Sequence, residues 1–232
     1  MALLKGDGFV LRARPFAESD LILTLFTDAW GRRTAIAKRA RRFDSPFGAS
    51  FDLLNHVEVV FYPRARMDLV SQGTLLEGFG DLKRDLERVS AALAVARVLD
   101  RLLPLHQQER GAYVLFGRFL ALLDAGTERL EAARLAATLK VLSLFGHRPH
   151  LQTCLSCGGT SGQFLFSGER GGVLCGRCAG GEDVPLSRGL ALALDSLTRL
   201  PLERSGVVVL SPGEATLARD LLAAYVDRLA EA

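Results

Sequence analysis

All four cysteines of this chain fall in one short stretch, as Cys154-x-x-Cys157 and Cys175-x-x-Cys178, with seventeen residues between the pairs. Two-residue spacing lets both thiolates of a knuckle reach one tetrahedral ion. The intervening Phe164–Phe166 and Gly171–Leu174 suit a hairpin that presents the second knuckle to the first. Four thiolates close a coordination shell and leave no open position for a catalytic water, so the pattern is expected to hold structural Zn2+. An iron–sulfur cluster, a redox pair and a site that has lost its metal are the rival readings. His147 and His150 lie just before the first knuckle and are the candidates to replace a cysteine; with four cysteines present they are read as surface or capping residues. His56 and His106 are read as ordinary surface or packed histidines.

The second constraint is Leu23–Arg42, LTLFTDAWGRRTAIAKRARR. The apolar, β-branched run Leu21–Thr27 reads as a strand, and Asp28-Ala29-Trp30-Gly31 as a short turn. The chain returns through Arg32, Arg33, Lys38, Arg39, Arg41 and Arg42, six cations with no acid between Arg32 and Arg42. Such a hairpin is a candidate phosphate-binding surface, although a run of cations is often only a solvated face. Arginine suits bidentate phosphate contacts, and Trp30, Phe43 and Phe47 are nearby rings on which bases could stack. Alternation sends Arg32, Thr34, Ile36 and Lys38 to one side of the returning strand and Arg33, Ala35, Ala37 and Arg39 to the other, so not all six cations share a face. Six phosphate contacts to a single strand would give a log–log salt slope of about −4. Residues 1–50 carry nine basic side chains against five acidic, more net charge than the +3 of all 232 residues.

Five candidate strands, Phe9–Ala13, Leu21–Thr27, Arg33–Lys38, Val57–Tyr62 and Met67–Leu76, suit a small closed barrel, which removes unpaired edges. Strand count alone leaves an OB-fold and an SH3-like barrel both open. From Gly80 the pattern is helical. Asp81 is expected to cap a helix to Leu103, a second covers Glu109–Leu123, and Thr127 caps a third to Phe145. The third is apolar on most sides except Lys140, which suits the centre of a bundle. After the cysteine segment come a helix over Ser187–Arg199 and a last one opened by Ser211-Pro212-Gly213-Glu214, a capping box with proline at the first helical position. Gly206–Leu210 is too short to assign. The division expected is 1–79 barrel, 80–150 and 181–232 helical, and 151–180 an inserted metal module.

The chain contains no GxxxxGK[ST], GxSxG or HExxH motif and no clear acidic cluster for a two-metal nuclease, so the expectation is a protein that is not an enzyme. The N-terminal MALLKGDGFV is broken by Lys5 and Asp7 and does not read as a signal peptide. No apolar run reaches the roughly 18–20 residues that span a bilayer. A cytoplasmic location is expected.

Taken together these stretches resemble the RecO family of bacterial DNA repair and recombination mediators. The resemblance begins at Gly8–Arg14, continues through Leu23–Thr27 and Gly31, and is sharpest at Ala37-Lys38-Arg39-Ala40-Arg41-Arg42. Leu53–Tyr62 and Leu75–Leu86 follow, then Gly146-x-x-Pro149, Cys154-x-x-Cys157-Gly158 and Gly172-x-x-Cys175-x-x-Cys178. It covers nearly the whole chain. The resemblance implies an α+β architecture: an N-terminal five-stranded OB-fold barrel, then an α-helical bundle carrying an inserted zinc-ribbon-like module. It implies binding of single- and double-stranded DNA, annealing of complementary strands without ATP, and loading of RecA onto DNA coated by single-stranded-DNA-binding protein. The partners implied are RecR and the acidic, apolar C-terminal tail of the single-stranded-DNA-binding protein, in a nucleoid-associated setting. Some family members lack the cysteines, so zinc is not expected at the centre of the activity. The competing readings are a zinc-containing protein-interaction adaptor without a direct DNA role and, more weakly, a metal-dependent nucleic-acid hydrolase.

Overall fold

The structure, a computed structural model, describes residues 3–231. The chain divides into two compact units, one ending at Ala125 and the other starting at Gly126.

The first unit opens with β1 (Leu4–Phe16), β2 (Asp20–Thr27), β3 (Gly31–Ala37), β4 (His56–Tyr62) and β5 (Asp68–Glu77). They close into a barrel in the order β1-β2-β3-β5-β4, all neighbours antiparallel except β3 and β5. This is the OB-fold. β1 is longer than the sequence pattern suggested because it serves two neighbours, Leu4–Phe9 pairing with β4 and Gly8–Phe16 with β2. A register shift between Val10 and Arg12 bends it. Alternating residues fill the interior, among them Leu23, Leu25, Ala35, Ala37, Val57, Val59 and Phe61. Ala35 and Ala37 are small, and the space is completed by Phe47 and Phe51 from the β3–β4 loop, with ring centroids 5.0 Å apart. Phe51 presses so closely on Gly73 that a Cβ there would lie 2.3 Å from its ring.

Three helices complete this unit: α1 (Gly80–Lys83), α2 (Leu86–Leu102) and α3 (Arg110–Ala125). The single helix expected from Asp81 is broken at Arg84–Asp85. There Asp85 takes an extended backbone and caps α2, its Oδ1 accepting from the amides of Glu87 at 2.9 Å and Arg88 at 3.2 Å. Asp81 instead pairs with Arg84 at 2.5 Å.

In the second unit α4 (Leu130–Leu144) is buried on most sides, as its sequence implied, and Lys140 Nζ donates to the Thr198 carbonyl at 2.9 Å. It begins three residues after Thr127, with Arg129 at the cap position. β6 (Phe164–Ser167) pairs with β7 (Gly172–Cys175) in the expected hairpin, and β8 (Val184–Leu186) adds a third strand. α5 (Arg188–Arg199) buries Asp195, whose carboxylate accepts from Arg148 at 3.1 Å, Gln152 at 2.9 Å and Arg199. A 3-10 turn, Leu202–Val207, precedes α6 (Pro212–Glu231). The capping box at its start is formed: the Ser211 amide donates to Glu214 Oε2 at 2.9 Å and the Glu214 amide to Ser211 Oγ at 3.3 Å. No described helix is long and apolar enough to cross a membrane.

Candidate functional site

The six cations of the basic hairpin separate into two groups. Arg33 points into the barrel. Its Nε and Nη2 each lie 2.7 Å from Asp68 Oδ2, its guanidinium sits over the Phe61 ring at 5.4 Å, and it is 8% exposed. Arg32 faces outward but is half-buried, bonded to the Asp100 carbonyl and 3.4 Å from its carboxylate, which also receives Arg12. Neither side chain lies open to a phosphate. A charged residue at an inward position looks from sequence like any other member of the run, and its counter-ion is thirty-five residues away.

Lys38, Arg39, Arg41 and Arg42 are exposed and come together just after β3. This segment is held against the β1–β2 turn. Asp20 Oδ1 accepts from the Arg39 amide at 2.8 Å, the Ser19 carbonyl from the Arg41 amide at 2.8 Å, and the Glu18 carbonyl from Arg41 Nη1 at 3.3 Å. Asp44 reaches Arg39 at 3.4 Å and Arg42 at 2.8 Å, so two of the four cations carry a built-in counter-ion. Phe43, directly after Arg42, stands fully in solvent. Phe47, expected as a second stacking ring, is instead 7% exposed and belongs to the barrel core. Trp30 is partly exposed, its indole Nε1 donating to the Lys5 carbonyl at 3.5 Å.

Beside this loop a cleft of about 660 Å³ opens, walled by Leu21, Phe51, Leu54 and Leu93 with Arg41 and Lys83 among its lining. Burial lowers the Lys83 pKa, partly opposed by Asp52, and its ammonium donates to Asn55.

The four cysteines converge. Their sulfurs all lie within 4.8 Å of one another, and Cys157 and Cys175 are 3.7 Å apart. A tetrahedral ion with metal–sulfur bonds of about 2.3 Å needs edges of about 3.8 Å, so the donor set fits a metal ion of that size. Each knuckle is a turn closed by backbone bonds, Gly158 donating to Cys154 and Cys178 to Cys175, both at 2.8 Å. Amides of Cys175 and Cys157 donate toward Cys154 and hold its thiol down at about 6. The Cys175 thiol is also lowered, first by the Arg177 amide. Cys178 is pushed up to about 11 by the side chains of Cys175 and Cys157, because a further negative charge among sulfurs is costly until a cation offsets it. His150 is not a member of this group; its Nε2 lies 2.8 Å from Thr153 Oγ1.

Residues 1–79 match the family described as "Recombination protein O N terminal", and residues 83–232 match "Recombination protein O C terminal". The chain belongs to the RecO family. It is 34% identical to "DNA repair protein RecO" of Symbiobacterium thermophilum over 97% of this chain and 92% of that protein. The protein of the same name from Pelotomaculum thermopropionicum is 35% identical over 90% and 82%, and that from Roseiflexus sp. 31% identical over 98% and 81%.

A further exposed basic stretch lies outside the predicted hairpin. Arg64 and Arg66, on the β4–β5 loop, are exposed with Tyr62 beside them. The signal available was a stretch, Pro63–Met67, with two arginines and no acid.

Proposed function

We propose that this protein is a non-enzymatic DNA-binding recombination mediator. It binds single- and double-stranded DNA through Lys38, Arg39, Arg41 and Arg42, anneals complementary strands without ATP, and helps load RecA onto DNA coated with single-stranded-DNA-binding protein. The observation that carries this reading is the run of four exposed cations, followed directly by a fully solvated Phe43, presented on an OB-fold barrel. Annealing two polyanions needs phosphate neutralisation that leaves base edges free to pair. A sequence-blind arginine loop supplies this, and Phe43 offers a ring for an unstacked base.

Two further elements belong to the proposal. The four-cysteine site takes Zn2+ in a structural role, tying the two knuckles of the inserted module together; thiolate donors in a closed set favour that ion. RecR and the tail of the single-stranded-DNA-binding protein are the protein partners. The apolar cleft with Arg41 and Lys83 in its lining has a chemistry suited to an acidic, apolar tail.

Fluorescence anisotropy on a labelled single strand across a salt series tests the DNA reading. Wild type is expected to show a log–log slope at least as steep as about −3, and Arg39→Ala/Arg41→Ala/Arg42→Ala to flatten it by about two. The same variant is expected to anneal complementary strands slowly. A folded triple variant that binds like wild type would move the DNA surface elsewhere.

A further inference from the structure

We propose that Cys157 is an oxidative modification site: a peroxide oxidises it, Cys175 closes a disulfide with it, and the four-sulfur site is thereby taken apart reversibly. This rests on the reading of that site as a holder of Zn2+.

The four sulfurs do not meet solvent equally. Cys154 is 2% exposed and Cys175 7%, Cys178 is half-buried, and of the four only Cys157 is exposed. The turn that carries it shows why. The Gly158 amide donates to the Cys154 carbonyl at 2.8 Å and the Cys154 amide to the Gly159 carbonyl at 2.9 Å, so the chain after Cys157 folds back on Cys154. Gly158 takes a φ of 70° to make that turn. Gly159 comes next, and a Cβ on it would lie 3.4 Å from Cys157 Sγ, in contact with the sulfur. Glycine at that position therefore leaves one flank of the thiolate bare. Ser156 and Gly158, its neighbours in sequence, are exposed as well and lay no bulk over it.

The other knuckle supplies a partner. Cys175 Sγ lies 3.7 Å from Cys157 Sγ. Cys175 is the last residue of β7, paired there with Phe164 of β6, so it is fixed on the hairpin and shielded from a reagent in solution. An accessible thiolate beside a second cysteine that can resolve it is the arrangement that stops at a disulfide.

The chemistry balances. The Cys157 thiolate attacks one peroxide oxygen; an S–O bond forms, the O–O bond breaks and hydroxide leaves. The Cys175 thiolate then attacks the Cys157 sulfur; an S–S bond forms, the S–O bond breaks and a second hydroxide leaves. Two thiolates lose two electrons and one peroxide gains them. Cys154 and Cys178 remain, one from each knuckle, and two thiolates do not close a tetrahedral shell. The loop from Gly176 to Cys178 then loses its tie to the first knuckle, and the exposed Arg177 within it becomes open to trypsin.

The test adds hydrogen peroxide to the purified, metal-loaded protein. Metal release is followed with a chromogenic chelator, and disulfides are mapped by mass spectrometry after alkylation. Release is expected in step with a Cys157–Cys175 disulfide, with a dimedone adduct on Cys157 at early times and faster tryptic cleavage after Arg177. A reductant supplied with Zn2+ should reverse the disulfide, the metal loss and the cleavage. Gly159→Ala keeps all four sulfurs and covers the bare flank, and Gly159 is not among the glycines with positive φ, so alanine is accommodated. This variant is expected to bind the same amount of metal and to release it several-fold more slowly. Metal retained under peroxide, a first adduct on another cysteine, a different disulfide, or wild-type release from Gly159→Ala would each overturn the proposal. A chain that takes up no metal would overturn the Zn2+ reading alone; the disulfide map then decides whether Cys157 is the modified residue.

Discussion

Arg33 and Asp68 meet inside the barrel wall, two guanidinium nitrogens each 2.7 Å from one carboxylate oxygen, with side chains 10% and 4% exposed. The pair joins β3 to β5 beside the single parallel contact of the barrel, where Ala35 pairs with Asp68. Removing one partner leaves the other charge buried and unpaired, which costs about 3–5 kcal/mol. Asp68→Ala is therefore expected to lower unfolding stability by that amount in urea titration. Arg33→Met/Asp68→Leu, which removes both charges, should recover most of it. Equal losses in the single and double variants would mean that packing, not the ion pair, sets the cost.

The same pair shows where sequence reading reaches its limit. Alternation alone put Arg33 on the face of Ala35 and Ala37, but only the closed barrel makes that face the interior. Phe43 and Phe47 sit four residues apart in one loop, and their opposite fates depend on the space left by Ala35 and Ala37. The break before α2 contains neither glycine nor proline; it follows from Asp85 turning extended to cap the next helix. The cysteine site was legible because its spacing is itself a geometric statement about one ion. The Ser211–Glu214 box was legible because its chemistry is local.

Asp44 is the internal counter-ion of the candidate DNA loop. It lies within ion-pair distance of Arg39 and Arg42, and all three side chains are more than half exposed. A phosphate arriving at either arginine competes with it. Asp44→Asn is expected to tighten single-strand binding about two- to five-fold at low salt, the scale of a surface ion pair, with the gain fading as salt rises. Weaker binding by this variant would show that Asp44 orders the loop rather than screening it.

The four-sulfur cluster is expected to hold one metal ion per chain, measurable by metal analysis of the purified protein and by release with a mercurial reagent. Cys178, held up at about 11 without a cation, must give up its proton when metal binds. Affinity should therefore fall as pH is lowered, and more steeply below about 6, where Cys154 is protonated as well. Metal removal or Cys154→Ser is expected to speed proteolysis within residues 150–186 while the barrel keeps its resistance. An unchanged cleavage pattern after complete metal loss would deny the ion a structural role.

His56 couples the barrel to α3. Its ring stacks on Phe9 with centroids 4.6 Å apart, and its Nε2 lies 2.9 Å from the Tyr113 hydroxyl. Burial lowers its pKa below 6.5, against smaller opposing effects of Asp7 and Glu77, and burial likewise raises that of Tyr113. The folded state thus favours a neutral imidazole that can accept the tyrosine proton, while the unfolded chain takes up a proton near 6.5. Where the unfolded state binds more protons, stability rises with pH. The contribution of His56 is complete above 6.5 and is lost as pH falls from there toward its lowered folded value. Thermal midpoints measured from pH 7.5 to 5 should therefore drop less for His56→Gln, which can still accept from Tyr113, than for wild type. Identical slopes for the two proteins would place the acid sensitivity of this unit in other groups.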